Sequence, residues 1–372
     1  MKENVIDKSA RNYGIDLLRI VSMLMVVVLH VLGHGGVLKG TDPLSANYLL
    51  SWFINISAYC AVNCYGLISG FVGIKSKSKY ANICYLWVTV VFYSLLSFIV
   101  FAVCMPEAVG IKGFISTFFP VTFNAYWYFS SYFCLFFFIP FLNKLMYAIN
   151  KKQATVLVLS ICFLFSIVSM ISMQFGRDPF DIKAGYNAIW LASLYIIGAY
   201  IRLYDIGKNI KKRMCFLLYL LQVIITFCSR IVAEIITAKV FGVARGENLL
   251  ISYISPTILL SAVFLLLLFS RINVKNCFIK IISFFSPLAF SVYIIHTQYF
   301  IETYLIEGRF QWIAHLNPFL MAVVALAVAM GIWFVCSMID VIRYYLFKWV
   351  HLKEVFISLE YKVSDYIKNK IN

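Results

Sequence analysis

Apolar residues fall along this chain in repeated blocks of about twenty, and that block length decides most of what it can fold into. A hydrocarbon core ~30 Å thick is crossed by ~20 helical residues rising ~1.5 Å each. Lipid offers no partner for an unpaired backbone amide, so each block must be helical. Alternating ten-residue stretches of the outer-membrane-barrel kind do not occur. Composition agrees: 62% of the 372 residues are hydrophobic and 13% charged. A soluble domain runs nearer about half apolar and a quarter charged. The expected fold class is therefore an all-α integral membrane protein.

Hydropathy predicts about ten transmembrane helices, at roughly 14–33, 48–73, 81–104, 126–148, 153–175, 187–204, 214–238, 248–270, 283–306 and 318–342. If residue 1 is inside, the inner segments 1–13, 74–80, 144–152, 202–213, 271–280 and 343–372 hold 23 of the 32 Lys and Arg residues. The outer loops hold seven, and Arg19 and Arg230 lie within helices. This bias follows the positive-inside rule and predicts both termini to be cytoplasmic. It also accounts for the net charge of +16 without a nucleic-acid partner.

The ten cysteines are scattered, with no CxxC pair. Neither a zinc site nor a disulfide framework is expected, and no metal. The first apolar block is too long for a cleavable signal peptide, and no small-residue cleavage site ends it. The expected organisation is one transmembrane domain over 1–345 and a cytoplasmic tail over 346–372. In that tail Trp349, Phe356 and Tyr361 mix with lysines. The pattern suits an amphipathic helix on the inner membrane surface, held by apolar contacts and anionic lipid.

Ionisable groups inside membrane helices are costly, so each is a functional candidate. The first helix holds the most, in GIDLLRIVSMLMVVVLHVLGHGG. Asp16 and Arg19 are three apart and can pair as helix neighbours. Arg19 and His30 are eleven apart. At ~100° per residue this is ~20° past three whole turns, with a rise of ~16 Å. The two share one face, and His34 continues the stripe outward. A desolvated imidazole favours its neutral form, which can act as general base toward a hydroxyl. Arginine is a permanently charged fork suited to phosphate. A basic entrance with a deeper neutral base suits a donor with a phosphorylated handle and a long reactive arm, such as a coenzyme A thioester. Read structurally instead, Asp16 and Arg19 anchor a helix end and His30 bonds a neighbouring helix.

The Arg-x10-His of GIDLLRIVSMLMVVVLH resembles the opening signature of the acyltransferase-3 family of membrane O-acyltransferases. LISGFVGIKSK is similar to its Ser-Gly turn followed by basic residues, and YWYFSSYFCLFFFIPFLN to its Trp-aromatic helix. LYIIGAYIR resembles its Gly-aromatic helix end, and FSVYIIHTQYF its Tyr-x-x-His helix. The resemblance runs over about residues 13–345 and agrees with the family's ten-helix core.

It implies O-acylation, usually acetylation, of a cell-envelope glycan or exopolysaccharide, with cytoplasmic acetyl-CoA as donor and a bacterial-type plasma membrane as location. His30 would be the catalytic histidine and Arg19 its partner. Lys75 and Lys77 stand where many members carry an Arg-x-Arg pair, keeping the charge but losing bidentate phosphate recognition. Many members end in a soluble extracytoplasmic domain. Here the expectation is action alone or transfer of the acyl group to a separate extracytoplasmic protein.

Arg230 and Glu234, four apart in the seventh helix, either line the acceptor path or form a structural ion pair. His296 in the ninth helix is either a substrate-side group or a packing hydrogen-bonder. His34 would meet substrate at the outer mouth. Asp340 with Arg343 reads as an interfacial pair, and Glu302 with Glu307 as a solvated rim. The competing function is a polytopic transporter or lipid-linked glycan flippase, which would need no CoA and often shows internal repeats. A third is the membrane half of a larger machine.

Overall fold

The computed structural model describes residues 11–76, 79–242 and 250–371, and among these there is no strand. In chain order the helices are α1 (Tyr13–Leu32), α2 (Ala46–Ala58), α3 (Ala61–Gly73), α4 (Tyr80–Cys104), α5 (Ile111–Phe118) and α6 (Trp127–Ala148). Then come α7 (Lys151–Ile161), which runs through a π-helical stretch into α8 (Ser169–Gln174), and α9 (Ala188–Leu203), α10 (Lys212–Phe241) and α11 (Pro256–Phe269). The last are α12 (Asn276–Phe285), α13 (Ala289–His296), the short α14 (Tyr299–Ile301), α15 (Pro318–Trp349) and α16 (Leu352–Ile371).

Among the described residues, eight helical segments are long and apolar enough to cross a membrane. Two more apolar helices, α9 and α11, are shorter, at 16 and 14 residues. At ~1.5 Å per residue the latter covers only ~21 Å. The chain is a multi-pass helical membrane protein.

Three expected helices differ in detail. The one predicted over 248–270 begins only at Pro256, because Pro lacks the N–H an earlier turn would use and is at home in a first turn. Before it, Ile251–Ser255 are buried without helix. Irregular backbone at membrane depth is tolerated where protein surrounds it and satisfies its polar groups. Here Asn63 Nδ2 donates to the Tyr253 carbonyl at 2.7 Å, and the Ser166 hydroxyl donates to that of Ile254. The helix predicted over 283–306 is broken at Ser286–Leu288, which contains Pro287, and again at Thr297–Gln298. The one predicted over 48–73 breaks at Tyr59–Cys60.

The described residues form two compact units. The first draws on Met1–Met25, Ile56–Lys77 and Phe141–Pro287, the second on Val26–Asn55, Ser78–Pro140 and Leu288–Asn372. In the first, α3 crosses α9 with almost no side chain between them. A Cβ on Gly70 would overlap the Tyr195 carbonyl oxygen, and one on Gly198 that of Leu67. Small residues let membrane helices approach this closely, gaining dispersion contacts that lipid cannot supply.

In the second unit, Asp340 and Arg343 of α15 are buried, at 0% and 4% exposure. Arg343 donates to both Asp340 oxygens at 2.8 Å, Tyr93 donates to Asp340 Oδ1 at 2.6 Å, and Arg343 reaches the Tyr85 hydroxyl at 2.7 Å. The expected interfacial pair is a buried network linking α15 to α4. A turn at His351 (φ 51°) leads into α16, whose Glu360 accepts from the Tyr80 and Ala81 amides that open α4. A carboxylate there satisfies two orphan donors and faces the positive helix end. Val355, Leu359, Tyr361 and Tyr366 of α16 stay exposed.

Candidate active site

α1 carries His30 in its last turn, then gives way to Gly33–Gly36. Gly36 has φ +89°, a conformation L side chains rarely adopt. The chain turns there, and the His34 and Gly35 carbonyls accept from the Gly308 and Phe310 amides, each at 2.9 Å. This clasp holds His34 beside the π-helical stretch Glu302–Ile306, where Glu302 accepts from His34 Nδ1. The expected solvated rim at Glu302 is thus a partner to histidine. Its hydrogen bond raises the His34 pKa above the ordinary value; burial acts the other way, and the Glu302 and Glu307 charges add to the rise.

His296 ends α13, whose described side chains are apolar and buried almost throughout. Its Nδ1 lies 2.5 Å from the Val292 carbonyl, one turn back, and its Nε2 lies 3.0 Å from His30 Nδ1. A carbonyl only accepts, so His296 Nδ1 carries the hydrogen. With both rings neutral, His296 Nε2 then holds a lone pair and accepts from His30 Nδ1–H. That assignment leaves the His30 lone pair on Nε2. The His34 ring stacks on His30 at 4.8 Å and 11°. Three histidines and a carboxylate therefore form one column, His296–His30–His34–Glu302, within the second unit.

Tyr293 packs edge-on to His296 at 6.4 Å, and Tyr126 and Tyr128 pack on Tyr293 at 6.2 and 6.1 Å. Tyr293 is the tyrosine of the Tyr-x-x-His motif in FSVYIIHTQYF. Tyr126 and Tyr128 were not singled out from sequence; their signal was the YWYF run, read only as part of an aromatic helix.

In the first unit, Asp16 is buried and accepts from Arg19 Nη1 and Arg11 Nε, both at 2.6 Å, and from the Ser286 hydroxyl at 3.2 Å. Tyr65 donates to the Arg19 carbonyl at 2.7 Å. One carboxylate thus orients two guanidinium groups, with 31% of the Arg19 side chain exposed. Lys75 is exposed in the turn after α3, and Lys77 lies outside the described residues. Arg230 donates to Glu234 Oε1 at 3.0 Å, both buried along α10, which is the ion-pair alternative in geometric form. Among the described residues no group of three or more His, Cys, Asp or Glu side chains is arranged to hold a metal ion.

A helical membrane protein with a histidine lone pair held in a hydrogen-bonded column defines a class able to move protons or acyl groups. Residues 12–338 match the family described as an acyltransferase domain, and the chain belongs to that family. It is a membrane acyltransferase. No curated protein and no solved structure matches it.

Proposed function

We propose that this protein moves an acetyl group from cytoplasmic acetyl-CoA to a hydroxyl of a cell-envelope or exopolysaccharide glycan, in a bacterial-type plasma membrane. All ten apolar helices cross the bilayer in this reading, and both termini are cytoplasmic. The observation that carries it is the His296–His30 hydrogen bond, which leaves a lone pair on His30 Nε2.

That nitrogen takes the proton of the acceptor hydroxyl as the oxygen attacks the thioester carbonyl. The C–O bond forms, the C–S bond breaks, and the departing thiolate recovers the proton from the His30 imidazolium. Donated by His30 Nδ1–H and accepted by His296, the hydrogen bond fixes the tautomer throughout. Glu302, bonded to His34, places a carboxylate one ring beyond His30, where it favours the passing positive charge. Tyr126, Tyr128 and Tyr293 offer faces and hydroxyls of the kind that pack against sugars. Arg19, steadied by Asp16, and the lysines Lys75 and Lys77 serve the donor's phosphates. His34 belongs to the acceptor side, while Arg230 and Glu234 form an ion pair within α10.

The test is labelled acetyl-CoA with purified protein and crude envelope glycan. Thiol release that depends on glycan, with label in the glycan, is expected. A transporter or flippase would release no thiol, and that result overturns the reading. Label retained on the protein when acceptor is withheld would mark an acyl-histidine relay instead of direct transfer.

A further inference from the structure

Within the first unit, the ends of α9 and α11 and the loop after α9 enclose a pocket of about 230 Å³. Three cations line it, Arg202, Lys208 and Arg271, against one carboxylate, Asp205. Phe71, with Ile206 and Leu267, supplies an apolar wall. The Arg202 guanidinium lies 5.0 Å from the Phe71 ring centre, so charge and flat apolar surface adjoin. Arg271 donates to the Gly207 and Ile210 carbonyls. Carbonyls fix a guanidinium in place without discharging it, so the pocket keeps its positive surplus. Those bonds also tie down the loop, which turns through positive φ at Asp205 (50°) and Gly207 (75°). Ser270, also in the lining, accepts at its carbonyl from Asn12 Nδ2 at 2.8 Å.

We infer that this pocket binds the nucleotide end of the acyl donor, an adenosine carrying phosphate groups, with Arg202 and Lys208 on its 3′-phosphate, apart from the diphosphate left to Arg19 and the lysines, and Asp205 on a ribose hydroxyl or the base amine. The inference rests on the acyl-CoA reading above. A whole drug-sized ligand needs roughly 300–1,000 Å³, so a smaller pocket takes one end of a longer molecule. Phosphate chemistry alone would fit an anionic lipid headgroup equally well. The carboxylate and the flat apolar wall favour a nucleoside, which has both hydrogen-bond donors and an aromatic face. The pocket also lies in segments 202–213 and 271–280, which the charge bias puts on the cytoplasmic side, where the donor is.

The experiment uses full-length protein in detergent, with labelled adenosine 3′,5′-bisphosphate as probe. Wild type should bind it. Arg202→Gln should weaken binding roughly ten- to hundredfold, the range for losing a hydrogen bond to a charged group. Lys208→Gln, more exposed, should cost less. In turnover, wild type should have a lower KM for acetyl-CoA than for acetyl-pantetheine, which lacks the nucleotide, and Arg202→Gln should erase that advantage. If Arg202 only offsets the negative ends of helices, both donors suffer alike, and that overturns the inference. Loss of co-purifying phosphatidylglycerol in Arg202→Gln, with nucleotide binding intact, also overturns it in favour of lipid. Wild type that releases thiol from neither donor defeats the acyl-CoA reading and this inference together; equal losses with active wild type defeat this inference alone.

Discussion

His296 Nε2 and His30 Nδ1 meet at 3.0 Å, and the Val292 carbonyl behind His296 decides which nitrogen of each carries hydrogen. The reactive nitrogen of His30 is thus set by a backbone group two hydrogen bonds away. His30→Ala should lower acyl transfer at least about a hundredfold, the lower range for removing a general base, with membrane abundance unchanged. Glycan-dependent thiol release measures it.

His296 acts through His30 in this arrangement, so its removal should be milder. His296→Ala should cost roughly ten- to hundredfold in kcat, as removing a ligand's hydrogen-bonded support does at metal sites. His296→Gln can offer a carbonyl oxygen to His30 Nδ1–H and should recover part of the loss. A structural role alone would lower thermal stability without separating the two variants.

The His34–Glu302 pair predicts a pH dependence. The pKa of His34 is raised by its hydrogen bond to Glu302. Its contribution to stability is therefore complete below the unfolded value of about 6.5 and is lost as pH rises through the higher folded value. The clasp between Gly35 and Phe310 should loosen over that window. The Tm of wild type in detergent should fall on raising pH from about 6, and Glu302→Gln should flatten that fall. Equal slopes in both proteins would remove the pair from the account.

Arg19 is oriented by a carboxylate it shares with Arg11. Arg19→Lys keeps the charge but loses the planar fork, so donor use should fall roughly ten- to hundredfold. Lys75→Ala, exposed and screened by salt, should cost less. Acetyl-CoA titrations of thiol release read both.

The helical membrane class and the Arg19–His30 helix were legible because both rest on local rules, block length and helical period. His30 and His296, far apart in the chain, were each noted singly. Their hydrogen bond was not legible, because it depends on where α13 ends. That end follows from the breaks at Pro287 and Thr297, and the sequence reading ran one helix across both. That Glu302 meets His34 was not legible for a related reason. Its partner is set by the glycine clasp at Gly35–Gly36 and Gly308, whose pairing no helical period encodes. The buried Ile251–Ser255 segment was likewise hidden, since apolar composition looks the same in a helix and in a stretch satisfied by Asn63 and Ser166.

The two short apolar helices make topology the most decisive remaining test. α11 alone covers ~21 Å of a ~30 Å core, and α9 ~24 Å. Each can still complete a crossing if the chain on either side enters the hydrocarbon region within a protein shell, as the buried Ile251–Ser255 stretch does before α11. Reporter fusions after Lys183 and Lys208 bracket α9, and those after Phe241 and Lys275 bracket α11. Members of each pair should read on opposite faces, with Lys208 and Lys275 cytoplasmic. Fusions after Lys152 and Arg213 should also read cytoplasmic, and those near Lys112 and Arg177 external. If a bracketing pair reads on one face, that helix is re-entrant and every later segment changes side. The inner charge surplus of 271–280 would then face outward, against the positive-inside rule.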